Sequence, residues 1–205
     1  MIAPDTQIDM EHRRILVLQG HPDPAGAHFG HALAGRYVAG ARSAGHEVRT
    51  IDVARLDFPL LRTKKGWESE PVPPGLADAQ RAIGWAGHLV VFFPLWLGDM
   101  PALLKGFLEQ IARPGFAFAA ASAGGMGQKL LGGRSARVVV TMGMPALVYR
   151  WYFCAHSVKA LERNILGFCG VAPIHETLVG SVDALSASRR QQWLVKLGAL
   201  GHAAG

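Results

Sequence analysis

Three segments of the chain hold residues whose types could bind an anion and a flat ring. The first segment, residues 20–30, places His21 and His28 just ahead of a predicted helix, which begins with Phe29. Free N–H groups and the helix dipole at such an amino terminus attract phosphate, and either histidine could donate a hydrogen bond to it. Taken alone, this segment is explained equally well as an ordinary connection between a strand and a helix.

The second segment, residues 92–101, is the most informative stretch of the sequence. A buried strand is predicted to end at Pro94, because proline cannot donate the next hydrogen bond of the sheet, and Trp96 follows where the chain leaves the sheet. An indole at this place could cover the face of a flat ring such as a flavin, while the backbone amides of residues 95–98 meet its carbonyls and ring nitrogens. The alternative is that Trp96 only caps the core from its rim.

The third segment begins with Thr141, Met142 and Gly143 at the end of another apolar strand. It offers a hydroxyl group and a flexible glycine to a ligand at that edge. Tyr149 and His156 follow as possible hydrogen-bond donors near a hydride acceptor. The alternatives are a half-buried tyrosine with its hydroxyl in water and a surface histidine.

The elements that would position these segments alternate between strands and helices. Short apolar runs rich in β-branched residues predict five strands, at residues 15–18, 48–53, 89–93, 137–141 and 173–179. Apolar residues at helical spacing fall between them, as in a predicted helix with Val158, Leu161, Ile165 and Phe168 on one face. The sequence therefore predicts one α/β domain with a parallel sheet covered by helices on both faces. Five strands favour the flavodoxin-like order 2-1-3-4-5, in which ligands bind outside the carboxyl ends of the strands.

Composition and charge exclude several classes of protein. Half of the 205 residues are apolar, and the longest apolar run is much shorter than the roughly 20 residues that span a bilayer, so we expect a protein that is not embedded in a membrane. The net charge of +6 suits anionic small ligands, but there is no basic run interleaved with aromatics, and we expect no nucleic-acid partner. The histidines near residue 28 lack a further ligand pattern, so we expect no metal site.

The cysteine content and the first thirteen residues suggest where the protein is located. Only Cys154 and Cys169 are present, which favours a reducing compartment, and we expect the protein to be cytoplasmic. Residues 1–13 are acidic and lack an apolar core, so they predict a flexible tail rather than a signal peptide, followed by a single domain over residues 14–205.

Several motifs together resemble the NAD(P)H:quinone oxidoreductases of the flavodoxin-like fold, relatives of DT-diaphorase and of ancillary reductase subunits of bacterial potassium efflux systems. The specific part is the apolar strand followed by Pro94-Leu95-Trp96 and the run from Met100 to Gly106. Weaker matches extend the resemblance over most of residues 14–180; they are His21-Pro22 with Phe29, Pro114 to Phe118, and Thr141-Met142-Gly143 with Tyr149.

This resemblance implies a flavin-dependent enzyme that passes a hydride from NADPH or NADH to a quinone. Tyr149 and His156 resemble the family's catalytic side chains, although the family's spacing for the histidine falls on Ala155. The flavin would be FAD rather than FMN, as in the quinone-reductase branch, and the protein would be a homodimer with an apolar patch near residues 151–153 facing the partner. The predicted flavin-binding residues are His21, His28, Phe29, Pro94, Leu95, Trp96, Leu97, Gly98, Thr141, Met142 and Gly143.

Two departures from the family pattern affect the ligand more than the fold. The family commonly has serine and asparagine on either side of the Phe29 position, where this chain has His28 and Gly30. Two side-chain phosphate donors are thereby lost, and more of the binding is left to backbone amides and to the histidines.

The competing functions are a flavin-binding regulatory subunit of a membrane potassium efflux transporter and a flavodoxin-like electron carrier. The positive charge and the long loops predicted at residues 59–75 and 113–134 disfavour the carrier.

Overall fold

The computed structural model describes residues 12–119 and 127–205, and it contains a five-stranded parallel sheet. The strands are β1 (Arg14–Gln19), β2 (Glu47–Asp52), β3 (His88–Pro94), β4 (Ser135–Thr141) and β5 (Ile174–Val179). Their spatial order is β2-β1-β3-β4-β5, and every neighbouring pair is parallel. The predicted fold class and strand order are therefore confirmed. The division into a tail and a domain stays a prediction, because residues 1–11 lie outside the described part of the chain.

Helices cover both faces of this sheet. They are α1 (Phe29–Ser43), α2 (Lys64–Ser69), α3 (Ala77–Trp85), α4 (Ala102–Ile111), α5 (Ala146–Trp151), α6 (His156–Lys159), α7 (Gly167–Cys169) and α8 (Ala187–His202). A π-helical segment, Ala160–Leu166, joins α6 to α7. Among residues 12–119 and 127–205, none of the helices combines the length and the apolar character needed to cross a membrane.

The central strands are apolar on both faces because each face packs on its own core. Along β1, Leu16 and Leu18 belong to the core beneath α3 and α4, whereas Ile15 and Val17 belong to the core beneath α1 and α8. A strand's side chains alternate between the faces, so a continuous apolar run is the pattern that burial on both sides requires.

Helices α1 and α8 pack so closely that glycine is needed at their contact. A Cβ atom on Gly40 would lie 2.0 Å from the carbonyl oxygen of Gly198, and one on Gly201 would lie 2.0 Å from the carbonyl oxygen of Tyr37. Helix α8 follows the carboxyl end of β5, and its first turn lies beside the start of α1, where the guanidinium of Arg190 is 5.1 Å from the ring centre of Phe29. Residues of α8 can therefore reach a ligand bound there.

Three local features differ from the sequence prediction. The segment 59–75, expected to be a surface loop, contains α2, whose first turn is capped where the Thr63 hydroxyl accepts the N–H of Gly66 at 3.0 Å. The third predicted ligand segment contains α5, which follows Pro145. In the next helix, the π-helical segment shifts the phase of the apolar face, so Val158 and Leu161 are buried while Phe168 is half exposed.

Candidate functional site

A cavity of about 410 Å³ lies at the carboxyl edge of the sheet, and all three segments singled out in the sequence contribute to it. Its lining residues are His21, Ala27, His28, Phe29, Gly30, Pro94, Leu95, Trp96, Thr141, Met142, Gly143, Val182, Asp183 and Arg190. The volume is within the range of small-molecule sites. The position is the one that an open parallel sheet with this strand order provides for ligands.

The connection after β1 holds His21 in a fixed orientation. Its backbone N–H donates to Gln19 Oε1 at 3.1 Å, and its ring Nδ1 accepts the backbone N–H of Asp23, also at 3.1 Å. The residue is buried. Burial, followed by the nearby rings of His28 and His31, lowers the pKa of the His21 imidazole. The ring is therefore neutral at pH 7, with its remaining nitrogen, Nε2, carrying the hydrogen.

His28 occupies the N-cap position of α1, directly beside His21. The two rings are stacked with centroids 3.9 Å apart and planes 16° apart, and the third ring, His31, lies 5.2 Å from His21. His28 Nε2 lies 2.6 Å from the Oδ2 atom of Asp23, and this hydrogen bond is the main reason why the pKa of Asp23 is lowered. Within the described part of the chain His28 makes no side-chain capping bond, so the first N–H groups of α1 remain available to an anion.

The second segment leaves the sheet at Pro94, which pairs with Thr141 on β4. The N–H of Leu95 then donates to the carbonyl of Thr141 at 2.8 Å, holding the two cavity walls together. Trp96 exchanges backbone hydrogen bonds with Asp99 at 2.8 and 2.9 Å, which closes a tight two-residue turn. The Trp96 side chain is 51% exposed, and its ring meets that of His21 edge-on with centroids 5.8 Å apart.

The turn after Trp96 consists of Leu97 and Gly98, and both have positive φ angles of 48° and 80°. Left-handed backbone at both positions is typical of a two-residue hairpin turn, and for a leucine it is strained. Leu97 is fully exposed, and neither residue lines the cavity. Their assignment to flavin binding stays a prediction.

The third segment supplies the opposite wall. Thr141 and Met142 are buried, and the N–H of Met142 donates to the carbonyl of Val179 at 2.9 Å. Gly143 follows at the cavity's surface, where a Cβ atom would lie 3.2 Å from Asp183 Oδ2. A side chain at this position would therefore crowd the wall formed by the connection after β5.

The two proposed catalytic side chains lie away from this cavity. Tyr149 is buried in the core, and its hydroxyl is 2.6 Å from the hydroxyl oxygen of Ser157. His156 is exposed at the start of α6, after two residues, Cys154 and Ala155, with φ near 50°. Neither side chain is brought to the residues that line the cavity, so their catalytic roles stay predictions.

Sequence reasoning missed the wall that follows β5. Val182, Asp183 and Arg190 line the cavity, and the Arg190 guanidinium donates to the carbonyls of Leu185 and Val182 at 3.2 and 2.7 Å. Its central carbon lies 5.1 Å from the ring centre of Phe29. In the sequence, Arg189-Arg190 looks like a solvated pair. The strand order, however, places the end of β5 at the same edge of the sheet as the other walls, and this topology could have identified the loop after β5 as part of the site.

A second cavity of about 400 Å³ lies between α4 and α7 and is mainly apolar, with Trp67, Phe118 and Phe168 in its walls. Its two charged residues, Lys105 and Glu109, pair with each other at 2.5 Å. Its lining residues come from helices and connections, and none of them directly follows the carboxyl end of a strand. The cavity at the sheet edge is therefore the better candidate for chemistry.

The donors of the candidate site fit a phosphate group and an adjoining flat ring. One end has His21, His28, Arg190 and the free N–H groups at the start of α1. The other end has the indole of Trp96 beside the backbone of residues 95–96. Positive and hydrogen-donating groups at one end with an aromatic wall at the other match the chemistry of a flavin mononucleotide unit.

Comparison with known proteins agrees with this reading of the fold. The Haemophilus influenzae protein named "Uncharacterized NAD(P)H oxidoreductase" is 23% identical over 180 residues, which cover 86% of this chain and 88% of that protein. The FMN-dependent NADH:quinone oxidoreductase of Shewanella amazonensis is 28% identical over 152 residues, covering 69% and 74%. The solved structure of an NAD(P)H:quinone oxidoreductase from Methanothermobacter marburgensis has the same fold, with a TM-score of 0.77 at 21% identity and coverage of 93% and 96%.

A family model described as a flavodoxin-like fold matches residues 13–199 of the chain. That span includes all five strands and every residue that lines the candidate cavity. The resemblance found in the sequence is confirmed, and the chain belongs to this flavodoxin-like family.

Proposed function

We propose that the protein is a flavin-dependent NAD(P)H oxidoreductase that reduces quinones or similar acceptors by two-electron transfer. The observation that carries the proposal is the cavity at the carboxyl edge of the sheet, where the phosphate-binding groups around His21 and the indole of Trp96 line one space. The relatives described above are named oxidoreductases, which disfavours the regulatory-subunit alternative.

The residues of the chain would bind and orient the flavin in three ways. His21, His28 and Arg190 would hold the phosphate, and the backbone of residues 95–96 would meet polar atoms of the ring. Trp96 would cover part of the ring and exclude water from it. When bound, the flavin would supply the redox chemistry by accepting a hydride from a reduced nicotinamide and passing it to the acceptor.

We propose FMN as the flavin, although the sequence alone favoured FAD. The relative from Shewanella amazonensis is named FMN-dependent, and none of the three relatives described above has FAD in its name. The choice between NADH and NADPH as reductant stays open in this proposal, as does the identity of the quinone-like acceptor. Tyr149 and His156 remain the proposed groups that polarise the acceptor, and Tyr149 could do so only after its hydroxyl leaves Ser157.

We also propose that the protein is a cytoplasmic homodimer. The patch predicted at residues 151–153 is part of a larger exposed apolar ridge on α5 and the turn that follows, which consists of Leu147, Val148, Trp151, Tyr152 and Phe153. Clustered apolar side chains of this size mark interaction surfaces more often than solvated ones. Trp151→Glu should shift the sedimentation coefficient from that of a dimer to that of a monomer, and a monomeric wild-type chain would refute the dimer. The two free cysteines support the cytoplasmic location.

The absorbance spectrum of the purified protein tests the flavin proposal most directly. We expect a yellow protein, or a colourless one that becomes yellow on reconstitution with FMN, and NAD(P)H oxidation that depends on a quinone such as menadione. A protein that binds neither FMN nor FAD is not the proposed enzyme. A protein that binds flavin but does not oxidise NAD(P)H with menadione would favour the regulatory-subunit alternative.

A further inference from the structure

The stacked histidines at the start of α1 have an unusual arrangement of hydrogen bonds. Asp23 holds both rings, because its backbone N–H donates to His21 Nδ1 at 3.1 Å and its carboxylate lies 2.6 Å from His28 Nε2. The rings are 3.9 Å apart between centroids. Both rings line the candidate cavity at its phosphate-binding end.

The two rings differ in their capacity to take up a second proton. Protonation of His21 at Nδ1 would break its bond with the N–H of Asp23, because that nitrogen acts as the acceptor. The Nε2 atom of His28 already faces a carboxylate, and its Nδ1 atom has no bond to break among the described residues. A proton arriving at this stack is therefore best placed on His28 Nδ1, where Asp23 balances the charge.

Charges of both signs surround the two stacked rings. Two stacked imidazoles repel each other when both are charged, and burial together with the rings of His28 and His31 lowers the pKa of His21. Asp23 and Asp52 act in the opposite direction, although Asp52 is itself paired with Arg55 at 3.0 Å. From α8 and the connection before it, Arg190 and Asp183 face the same cavity with opposite charges. A bound phosphate would add negative charge that favours protonation.

We propose that the His21–His28 stack, held by Asp23, is the specificity-determining element for the phosphate group of the flavin, and that it binds this phosphate together with a proton taken up at His28. The inference rests on the proposed flavin function. It predicts that a flavin with a phosphate binds more tightly as the pH falls from 8 to 7, because the protonated protein is the better binder. A flavin without a phosphate gains nothing from the proton.

Isothermal titration calorimetry with FMN and with riboflavin, in two buffers of different ionisation enthalpy, measures this proton directly. At pH 7.5 the free phosphate is mostly a dianion, since its second pKa is about 6, so net uptake draws a proton from the solvent, and the His28 variant described below shows whether that proton goes to the histidine or to the phosphate. We expect FMN binding to take up between about half a proton and one proton, with a Kd that rises roughly three- to tenfold from pH 7 to pH 8. Riboflavin should bind with no net proton uptake and little pH dependence.

The variant His28→Asn removes the titrating group and keeps a polar side chain. It should lose the proton uptake and the pH dependence of FMN binding, and its preference for FMN over riboflavin should fall at least fivefold. His175→Asn, at an exposed position on β5 outside the cavity, is the matched control and should behave like the wild type. FMN binding without proton uptake in the wild type, or with unchanged uptake in His28→Asn, overturns this inference and leaves the flavin function intact. A wild-type chain that binds neither flavin overturns both.

Discussion

The hydroxyl of Tyr149 lies 2.6 Å from the Oγ atom of Ser157 and accepts the backbone N–H of Val158 at 3.3 Å. The tyrosine is 1% exposed, so these bonds form inside the protein. They tie α5 to the beginning of α6 beneath the exposed apolar ridge. This geometry gives Tyr149 a structural role, whereas the family resemblance implies a catalytic role at the same position.

Tyr149→Phe separates the two roles. It leaves the buried N–H of Val158 and the hydroxyl of Ser157 without their partner, which should cost about 1–3 kcal/mol of unfolding free energy. If the tyrosine acts only in this way, the kcat for quinone reduction should change less than threefold. Urea unfolding and steady-state kinetics measure the two effects, and Ser157→Ala serves as a control that loses the same bond. A tenfold lower kcat with unchanged stability would instead support the catalytic role.

The fold could be predicted from the sequence because its signals are local and mutually consistent. Continuous apolar strands such as residues 89–93 are distinctive, and their alternation with helical patterns leaves few possible topologies. The short helix α5 was missed because six residues after a proline carry too little periodic signal. The exposure of Phe168 was missed because a π-helical segment changes the residue spacing, which is decided by packing.

Trp96→Ala tests whether the indole contacts the flavin. The side chain is half exposed, so its loss should hardly affect stability, while an aromatic contact with the ring is worth about 1 kcal/mol, or roughly fivefold in Kd. Quenching of flavin fluorescence on titration with protein measures the affinity. Phe168→Ala is the matched control, since Phe168 is 50% exposed but lies outside the candidate cavity. Equal affinities for Trp96→Ala and the control would mean that the indole only shapes the rim.

Arg190→Ala and Arg189→Ala form a matched pair of neighbouring charge removals. Only Arg190 lines the cavity, where carbonyl bonds from Val182 and Leu185 fix its guanidinium. A charge-assisted bond to phosphate is worth about 1.5–3 kcal/mol, so Arg190→Ala should raise the Kd for FMN roughly 10- to 100-fold. Arg189→Ala should change it less than twofold. The same titration with riboflavin should show little effect of either variant, and a comparable loss for riboflavin would place Arg190 elsewhere on the ligand.

The candidate site was only partly predictable for a related reason. Three of its walls follow directly from strands that end in distinctive residues, such as Pro94 and Thr141, and the sheet topology brings these ends together. Arg190 lies within α8 beside Arg189, which is exposed and does not line the cavity. The position of Arg190 depends on how closely α8 packs on α1. In the sequence, that contact is marked by nothing more distinctive than glycine residues.

Gly40→Ala tests that contact between α1 and α8. The new methyl group would lie 2.0 Å from the carbonyl oxygen of Gly198, so the helices must move apart, at a cost of about 1–3 kcal/mol. Gly35→Ala is the control in the same helix, where none of the described residues comes within 4 Å of the new atom, and it should stabilise the protein by about 0.5–1 kcal/mol. Thermal unfolding should therefore show Tm shifts of opposite sign. Two variants with equal Tm values would mean that the contact is looser than the structure shows.

The pH dependence of stability should contain a contribution from His88, which is 1% exposed at the start of β3 and bonded to Ser135 Oγ at 2.7 Å. Burial, followed by the nearby charge of Arg13, lowers the pKa of His88 to about 4. The unfolded chain has a pKa near 6.5 at this residue, so it binds the extra proton first as the pH falls. Stability from His88 is therefore complete above about pH 6.5 and is lost towards pH 4, by up to about 3 kcal/mol.

Urea unfolding of the wild type and of His88→Gln between pH 7 and pH 4 measures this contribution. The carboxylates titrate alike in both proteins, so the difference in unfolding free energy should shrink or change sign as the pH falls, in favour of the variant that cannot be protonated. His156→Gln, which replaces an exposed histidine on α6, should follow the wild-type curve. If the difference between wild type and His88→Gln stays constant over this range, His88 is not held neutral by its burial.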